Sequence, residues 1–234
     1  MAGPVRRVVT SRAGGSSRAP HDSFNLAHGV GDADEAVRAN RARLAAKIGL
    51  PADHLVWMSQ VHGAEVATVD EPPAAPITAD ALVTAMPGLA LAVLVADCVP
   101  VLLADSARGV AGVAHAGRKG AAAGVVVNAL DAMVALGARL GGIDVLLGPA
   151  ICGRCYEVPV AMQAEVEQAL PGSACPTARG TAGLDLRAGL VRQLTQRGVA
   201  GVVVDPRCTA EDPTLYSYRR DGVTGRQAGL AWVV

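Results

Sequence analysis

Three metal-binding side chains stand where apolar, strand-like segments of the sequence end. They are His62 in the segment QVHG, Cys98 in ADCVP and His115 in VAHAG. Two imidazoles and one thiolate suit zinc, and three protein ligands leave a fourth position for water or substrate, as in catalytic zinc sites. Their separations match no short zinc-finger pattern. For each residue taken singly, a buried cysteine or a hydrogen-bonded histidine without metal remains the alternative.

The elements that must position these residues are predicted from hydrophobic pattern and turn residues. Strands are predicted at Val5–Val9, Leu55–Ser59, Glu65–Val69, Ala81–Thr84, Leu89–Val95, Val101–Ala104, Val110–Ala114, Val145–Leu147, Val202–Val204, Leu215–Tyr218 and Leu230–Val234. Helices are predicted at Asp32–Gly49 (capped by Asp32 or Asp34), from about Gly120 to Leu140, at Val160–Leu170 and at Leu186–Arg197. The irregular alternation predicts a mixed sheet in one α/β (α+β) domain spanning residues 1–234.

The composition argues against several classes of protein. The 234 residues carry 21 Lys and Arg against 21 Asp and Glu, so the basic excess of a nucleic-acid-binding protein is missing. No signal peptide is visible, and the longest apolar run, Leu89–Ala96, is too short to cross a bilayer. We therefore expect a cytoplasmic protein with no membrane partner. Five cysteines, an odd number, then favour metal binding or reactive thiols over disulfides.

The remaining cysteines include a C-x-x-C pair, Cys152 and Cys155. A thioredoxin-like redox motif would begin a helix after a strand, which lowers a thiol pKa. This pair instead lies in a predicted loop between Gly148-Pro149 and Pro159. A redox or second-metal role is the less favoured interpretation, and Cys175 and Cys208 are predicted to be structural.

Arginines cluster near the end of the chain, in the segment Tyr218–Asp221 and at Arg226. Guanidinium groups grip phosphate in a forked geometry, which favours a phosphate-binding role. A solvated turn with surface ion pairs fits the same residues. Both interpretations stay open.

Short segments along nearly the whole chain, from Arg12 to Trp232, resemble the YfiH or laccase-domain family (polyphenol oxidase, DUF152). The matching segments are Arg12 with Gly14-Gly15-Ser16, Phe24-Asn25-Leu26, Val30-Gly31-Asp32, Asn40-Arg41, Gln60–Gly63, Ala79–Thr84, Ala96–Leu103, His115–Gly117, Gly148–Ile151, Tyr156–Val158, Tyr216–Asp221 and Thr224–Arg226. The resemblance implies a YfiH/CNF1-like fold of two stacked mixed β-sheets flanked by helices. It also implies that His62, Cys98 and His115 are the metal ligands.

The same resemblance implies a zinc-dependent purine nucleoside phosphorylase, which converts adenosine and phosphate to adenine and ribose 1-phosphate. Inosine and methylthioadenosine phosphorolysis and adenosine deamination are expected companion activities. We expect Arg12 and Arg118 to bind phosphate and Asn25 to bind the sugar or base. Asp97 is expected to orient a metal ligand, beside Cys98 and His115 as catalytic groups. A monomer or weak dimer is expected.

The chain departs from the family at one place. Family members often read His-Ala-Gly-Trp-Arg-Gly, whereas this chain has Arg118-Lys119 in place of Trp-Arg. The change removes an aromatic surface beside the site, so it puts substrate preference in doubt more than the metal.

Three other functions fit parts of the sequence. A copper-dependent phenol oxidase is disfavoured, because five histidines cannot furnish several copper centres. A metal-independent hydrolase acting on an amide would use Cys98 as nucleophile and His115 as base. A non-enzymatic domain stabilised by zinc would need a fourth protein ligand, which is not apparent.

Overall fold

Residues 3–199 and 201–234 are described by the structure, a computed structural model. Within them the chain forms thirteen β-strands and six α-helices. The strands are β1 Val5–Val9, β2 Leu55–Ser59, β3 Val66–Thr68, β4 Ile77–Thr78, β5 Ala81–Thr84, β6 Ala90–Val95, β7 Val99–Asp105, β8 Val110–Ala116, β9 Asp144–Leu147, β10 Ala174–Pro176, β11 Ala182–Leu184, β12 Gly201–Val204 and β13 Gln227–Val233. The helices are α1 Asp34–Ile48, α2 Arg118–Ala122, α3 Val125–Ala135, α4 Val160–Ala169, α5 Leu186–Gln196 and α6 Tyr218–Asp221.

Two large mixed sheets contain most of the strands. The first has the order β1-β13-β6-β2-β4 and the second the order β12-β9-β7-β8-β5-β3, while β10 and β11 pair separately. Both sheets are mixed: β6, for example, is antiparallel to β13 and parallel to β2. The chain passes from the first sheet to the second between β6 and β7, and Cys98 lies in that crossing. The predicted fold class is confirmed.

Four layers result from the distribution of apolar side chains. Leu91, Leu102 and Val113 belong to the apolar core shared by strands of the two sheets. On the outer face of the first sheet, α1 packs through Leu44 against Trp57. Helices α3 and α5 cover the outer face of the second sheet. Because β6 is covered on both faces, its sequence is apolar at every position rather than alternating.

Two predicted elements differ from the structure in kind or in continuity, and others only in their ends. In the segment predicted as strand Leu215–Tyr218, residues 215–217 are irregular and Tyr218 begins α6. Tyr216 is fully buried there, and its amide donates to the side chain of Gln227 (2.7 Å) instead of to a strand partner. The long helix predicted from Gly120 is broken, because Gly124 adopts a left-handed φ of 84° between α2 and α3.

The start of α1 also differs from the prediction. Its N-cap is Ala33, without a side-chain cap. The carboxylate of Asp32 instead accepts hydrogen bonds from Ser17 Oγ (2.6 Å) and Asn25 Nδ2 (2.8 Å). Strands β4, β10 and β11 were not predicted, since two or three residues carry too little periodicity.

No helix in the described part of the chain combines the length and apolarity needed to cross a membrane.

Candidate metal centre

The three predicted ligands come together where the two sheets meet. One ligand atom from each of His62, Cys98 and His115 lies within 4.8 Å of the others. The two imidazole rings meet edge to face, with centroids 4.7 Å apart. His115 is 2% exposed, Cys98 is half-buried and His62 is exposed, so the triad is open on one side only. This is the arrangement of a three-ligand centre that leaves room for another molecule.

Asp80, immediately before β5, holds two of the predicted ligands in place. Its Oδ1 accepts hydrogen bonds from His115 Nδ1 (2.8 Å) and from the His62 amide (2.9 Å). Its Oδ2 accepts from the amides of Gly63 (2.7 Å) and Val61 (3.2 Å). Because Nδ1 of His115 is occupied, Nε2 is the nitrogen left for a metal. The same carboxylate holds the His62 backbone at a left-handed φ of 60°, a costly conformation for a residue with a side chain.

Asp80 was not among the predicted site residues, although its segment Ala79–Thr84 resembles the family. A signal was present, since Asp80 stands at the edge of an apolar strand just as Asp97 does. Burial alone would raise the pKa of Asp80, but hydrogen bonds from His115 and the backbone amides lower it. The fully buried Asp80 is therefore a carboxylate that orients His115.

The electrostatics of the triad favour a deprotonated Cys98. Burial alone would raise the pKa of this thiol, but hydrogen bonds and charge from His115 and His62 lower it to about 6. Burial alone would lower the pKa of His115, but Asp80 and Cys98 raise it to about 9. Thiolate is the form of cysteine that binds metals.

Gly117 provides the space in which the three predicted ligands converge. A Cβ at this position would lie 2.9 Å from Cys98 Sγ and 3.1 Å from His62 Cδ2. The backbone thus leaves a cradle that only glycine fits. Together with the two-nitrogen, one-sulfur donor set, this cradle fits a borderline-soft divalent ion such as zinc.

Replacing Gly117 with alanine is expected to weaken metal binding by about tenfold or more, because the new methyl group displaces Cys98 or His62. Competition with a chromophoric chelator measures the affinity. Gly141→Ala is the matched control, since a Cβ there meets nothing within 4 Å. Equal affinities in the two variants would contradict a metal held at this triad.

The triad lies in the wall of a cavity of about 760 Å³ with a strongly basic lining. Arg41, Arg118, Arg219 and Arg226 line it, whereas Asp97 is its only acidic residue among those described. Burial lowers the pKa of Arg41 to about 10, which still leaves the guanidinium charged at neutral pH. The cavity therefore suits an anion.

Aromatic rings form a second part of the lining. Trp57, Tyr156 and Tyr218 face the cavity, and two of them carry arginines on their faces. The guanidinium of Arg41 lies 3.9 Å from the ring centre of Trp57, and that of Arg219 lies 5.1 Å from that of Tyr156. Such cation–π contacts fix the rings and the charges together. The cavity thus offers flat apolar surfaces beside its cations.

Two of the other predicted site residues, Asp97 and Arg118, line this cavity. Asp97 has a left-handed φ of 96°. Its carboxylate accepts hydrogen bonds from Thr209 Oγ1 and from the Arg219 amide, both at 2.6 Å. Asp97 therefore ties three chain segments together at the triad. Orientation of a metal ligand by Asp97 stays a prediction, while Asp80 makes the contact to His115.

Arg12 and Asn25 are not among the residues that line the cavity. Arg12 donates to the Asp22 carbonyl (2.9 Å) and pairs with its carboxylate (3.2 Å). The buried Asn25 side chain accepts a hydrogen bond from the Arg226 amide (2.9 Å). Binding of substrate by Arg12 and Asn25 stays a prediction.

The C-terminal arginines lie in two different environments. Arg219 and Arg226 reach the cavity. Arg220 instead pairs with Asp221 (2.8 Å) and donates to the carbonyls of Thr209 and Leu215. The sequence could not separate them, because the direction of each side chain depends on the turn that leads into α6.

Cys152 and Cys155 lie in a loop between β9 and α4, as predicted. No helix begins at either cysteine, since α4 starts at Val160. Burial and the neighbouring Cys208 thiol raise the pKa of Cys152. A reactive redox thiol would need the opposite shift.

The chain is similar in sequence and in fold to several known proteins. The chain is 59% identical over 230 residues to a purine nucleoside phosphorylase of Mycobacterium tuberculosis, covering 98% of this chain and 92% of that protein. It is 54% identical over 233 residues to a purine nucleoside phosphorylase of Corynebacterium glutamicum, covering 98% and 95%. The crystal structure of the hypothetical protein YfiH of Bacillus licheniformis superposes with a TM-score of 0.92 at 29% identity, covering 98% and 93%.

A family model described as multi-copper polyphenol oxidoreductase laccase matches residues 6–234. The resemblance inferred from short sequence segments is thereby confirmed: the chain belongs to this laccase-domain, or YfiH, family.

Proposed function

We propose that this protein is a zinc-dependent purine nucleoside phosphorylase of the cytoplasm that acts first on adenosine. One observation carries the proposal: a single cavity joins the His62–Cys98–His115 triad to four arginines and three aromatic rings. Such a cavity offers separate surfaces for an anion and for a flat base. The names of the relatives in Mycobacterium and Corynebacterium support the same activity.

Different residues of the cavity bind the phosphate and the purine. Arg118 and Arg219 hold phosphate through charge-assisted hydrogen bonds. Tyr156 and Tyr218 provide faces on which a purine stacks. Asn25 accepts a hydrogen bond from the Arg226 amide and so positions the segment that carries Arg226, while direct binding of substrate by Asn25 and Arg12 stays a prediction.

In phosphorolysis an oxygen of phosphate attacks C1′ of the ribose while the bond from C1′ to N9 of the base breaks. The bonding electrons leave with the purine, and positive charge develops on the sugar. Arginines that orient phosphate bring its negative charge against the developing cation, and this stabilises the transition state. When bound by the triad, zinc would supply a Lewis-acid centre in the wall of this cavity. Inosine and methylthioadenosine present the same bond, and deamination of adenosine at C6 is a proposed side reaction.

The test is release of base from adenosine by the purified protein, with and without phosphate and before and after chelation. We expect adenine and ribose 1-phosphate to form in equal amounts, only with phosphate and only in the metal-bound protein. Inosine formed without phosphate would identify deamination. No turnover of adenosine, inosine or methylthioadenosine by zinc-loaded protein would overturn the proposal.

Arg118 is expected to set the affinity for phosphate. Arg118→Ala should raise the KM for phosphate by about tenfold or more, because a charge-assisted hydrogen bond is worth roughly 1.5–3 kcal/mol. Initial rates at varied phosphate measure the effect. Lys119→Ala is the control, since Lys119 is exposed and does not line the cavity. A KM that rises equally in both variants would mean that general surface charge, and not Arg118, attracts phosphate.

A cysteine hydrolase is the second candidate, because Asp80, His115 and Cys98 are arranged as an acid, a base and a nucleophile. The Asp80–His115 hydrogen bond and the lowered pKa of Cys98 favour it. Its activity would persist after chelation, whereas phosphorolysis would stop. Copper-dependent phenol oxidation is less favoured. The described residues contain two metal-competent groups, and only this triad includes histidine, the ligand that several copper centres would need.

A further inference from the structure

A second group of metal-competent side chains lies outside the triad. It consists of Cys152, Cys155, Cys208 and Glu211, hereafter the cysteine cluster, whose ligand atoms all lie within 4.8 Å of one another. Thiolates bound at about 2.3 Å to a tetrahedral zinc are about 3.8 Å apart, so these atoms need little movement to share one ion. The cluster shares no residue with the triad.

The backbone presents these four side chains in two matching turns. The amides of Cys155 and Tyr156 both donate to the Cys152 carbonyl, at 3.0 Å. The amides of Glu211 and Asp212 donate in the same way to the Cys208 carbonyl, at 3.1 and 2.8 Å. Each turn therefore places ligands at its first and fourth residues. This C-x-x-C spacing, here repeated as C-x-x-E, is the usual ligand spacing of structural zinc sites.

The two turns are joined directly to each other. Ala150 and Cys208 form a parallel β-bridge, and the Thr209 amide donates to the Ala150 carbonyl (3.1 Å). The Cys152 amide donates to Cys208 Sγ (3.3 Å), a contact that stabilises a thiolate. The site is thus preformed by the backbone.

The negative charge of Glu211 is not balanced by an ion pair. The Cys155 thiol lies 3.5 Å from the Glu211 carboxylate. No Lys or Arg in residues 3–199 and 201–234 forms an ion pair with Glu211. The cluster therefore places three thiols beside a carboxylate that has no ion-pair partner. Such a set of donor atoms suits a thiophilic cation.

We infer that the cysteine cluster is a second metal site, which binds one thiophilic divalent cation such as Zn²⁺ through four protein ligands. Four ligands close the coordination shell, so the ion is structural and not catalytic. Each thiol that binds releases its proton to solvent.

The ion at this site would brace a wall of the catalytic cavity. The Ile151 amide, beside Cys152, donates to the Asp97 carbonyl (3.0 Å). Thr209, beside Cys208, binds the Asp97 carboxylate (2.6 Å). Both turns of the cluster are therefore tied to the residue that precedes Cys98.

Titration of reduced, metal-free protein with CoCl2 under anaerobic conditions tests the inference, because absorption from thiolate-to-cobalt charge transfer reports the sulfur ligands. We expect two ions per chain. The His62→Ala/His115→Ala double variant should keep one ion and most of this absorption, since three of the four coordinating thiolates lie in the cluster. The Cys152→Ser/Cys155→Ser variant should keep one ion and lose most of the thiolate-to-cobalt absorption. Cys175→Ser, a half-buried cysteine outside both groups, should keep both ions.

Saturation of the reduced wild-type protein by one ion, lost entirely in the histidine double variant, would overturn the inference. Full retention of both ions in Cys152→Ser/Cys155→Ser would do the same. If that variant does not fold, Glu211→Gln replaces it, because Glu211 is exposed. Its affinity for one of the two ions should fall by roughly tenfold, and two unchanged affinities would also overturn the inference.

Discussion

Replacing Cys98 with alanine is expected to abolish metal binding at the triad and to lower kcat/KM for adenosine by at least about a thousandfold. Two histidines remain, but a three-ligand centre that loses its only thiolate no longer holds zinc at ordinary concentrations. A Lewis-acid centre contributes several kcal/mol to the transition state, and each 1.36 kcal/mol is a factor of ten in rate. Metal analysis and steady-state kinetics on the same preparation give both quantities.

Two further variants show whether the loss arises from the metal. His62→Ala removes a ligand that is exposed and has no part in the core, so it should reproduce the loss of metal and activity without loss of stability. Cys175→Ala should change neither property, because Cys175 belongs to neither metal-competent group. If Cys98→Ala is inactive while the His62 variant and chelated wild-type protein turn over normally, Cys98 is a nucleophile and the cysteine hydrolase is correct.

The three residues of the triad could be singled out from sequence because they stand where apolar runs end, and the family resemblance then made them the expected metal ligands. Cys98 lies three residues after the end of β6, and His115 lies near the end of β8. Hydrophobic pattern locates such strands well, since burial on both faces leaves an uninterrupted apolar run. The family resemblance then supplied the stacking of the two sheets, which no local pattern contains.

Contacts between distant segments were not predictable in this way. Arg41 reaches the cavity from α1 and Arg226 reaches it from the segment before β13, and neither position follows from spacing. The segment around Tyr216 resembled a strand because Leu215, Tyr216 and Tyr218 are apolar or aromatic, yet the Tyr216 amide donates to the side chain of Gln227. Such long-range hydrogen bonds appear only once the chain is folded.

The cysteine cluster illustrates the same limit. Cys152 and Cys155 are recognisable as a pair, whereas nothing in the sequence connects them with Cys208, which was predicted to be structural. The parallel bridge between Ala150 and Cys208 brings them together. A metal site made of two half-sites is therefore visible only in the fold, even when each half carries a familiar spacing.

Asp80→Asn is expected to lower metal affinity at the triad by about 10–100-fold, the usual effect of removing the group that orients a histidine ligand. The amide has one acceptor in place of two, so its nitrogen faces donors from His115, His62 or the neighbouring amides. The protein should also lose about 3–5 kcal/mol of stability, as when one partner of a buried charged pair is removed. At this chain length, Tm should fall by on the order of 10 °C.

Asp105→Asn separates the two effects. Asp105 is also a buried carboxylate, 1% exposed, and it accepts hydrogen bonds from the amides of Arg139 (2.9 Å) and Arg108 (3.1 Å). It has no contact with the triad, so its replacement should lower Tm and leave metal affinity at the triad unchanged. A fall in affinity that merely parallels Tm in both variants would mean that Asp80 acts through general stability. A fall in metal affinity confined to Asp80→Asn would show that the carboxylate positions His115. A metal centre and a Cys–His–Asp site both require a histidine positioned in this way. Metal dependence of the residual activity then decides between those two.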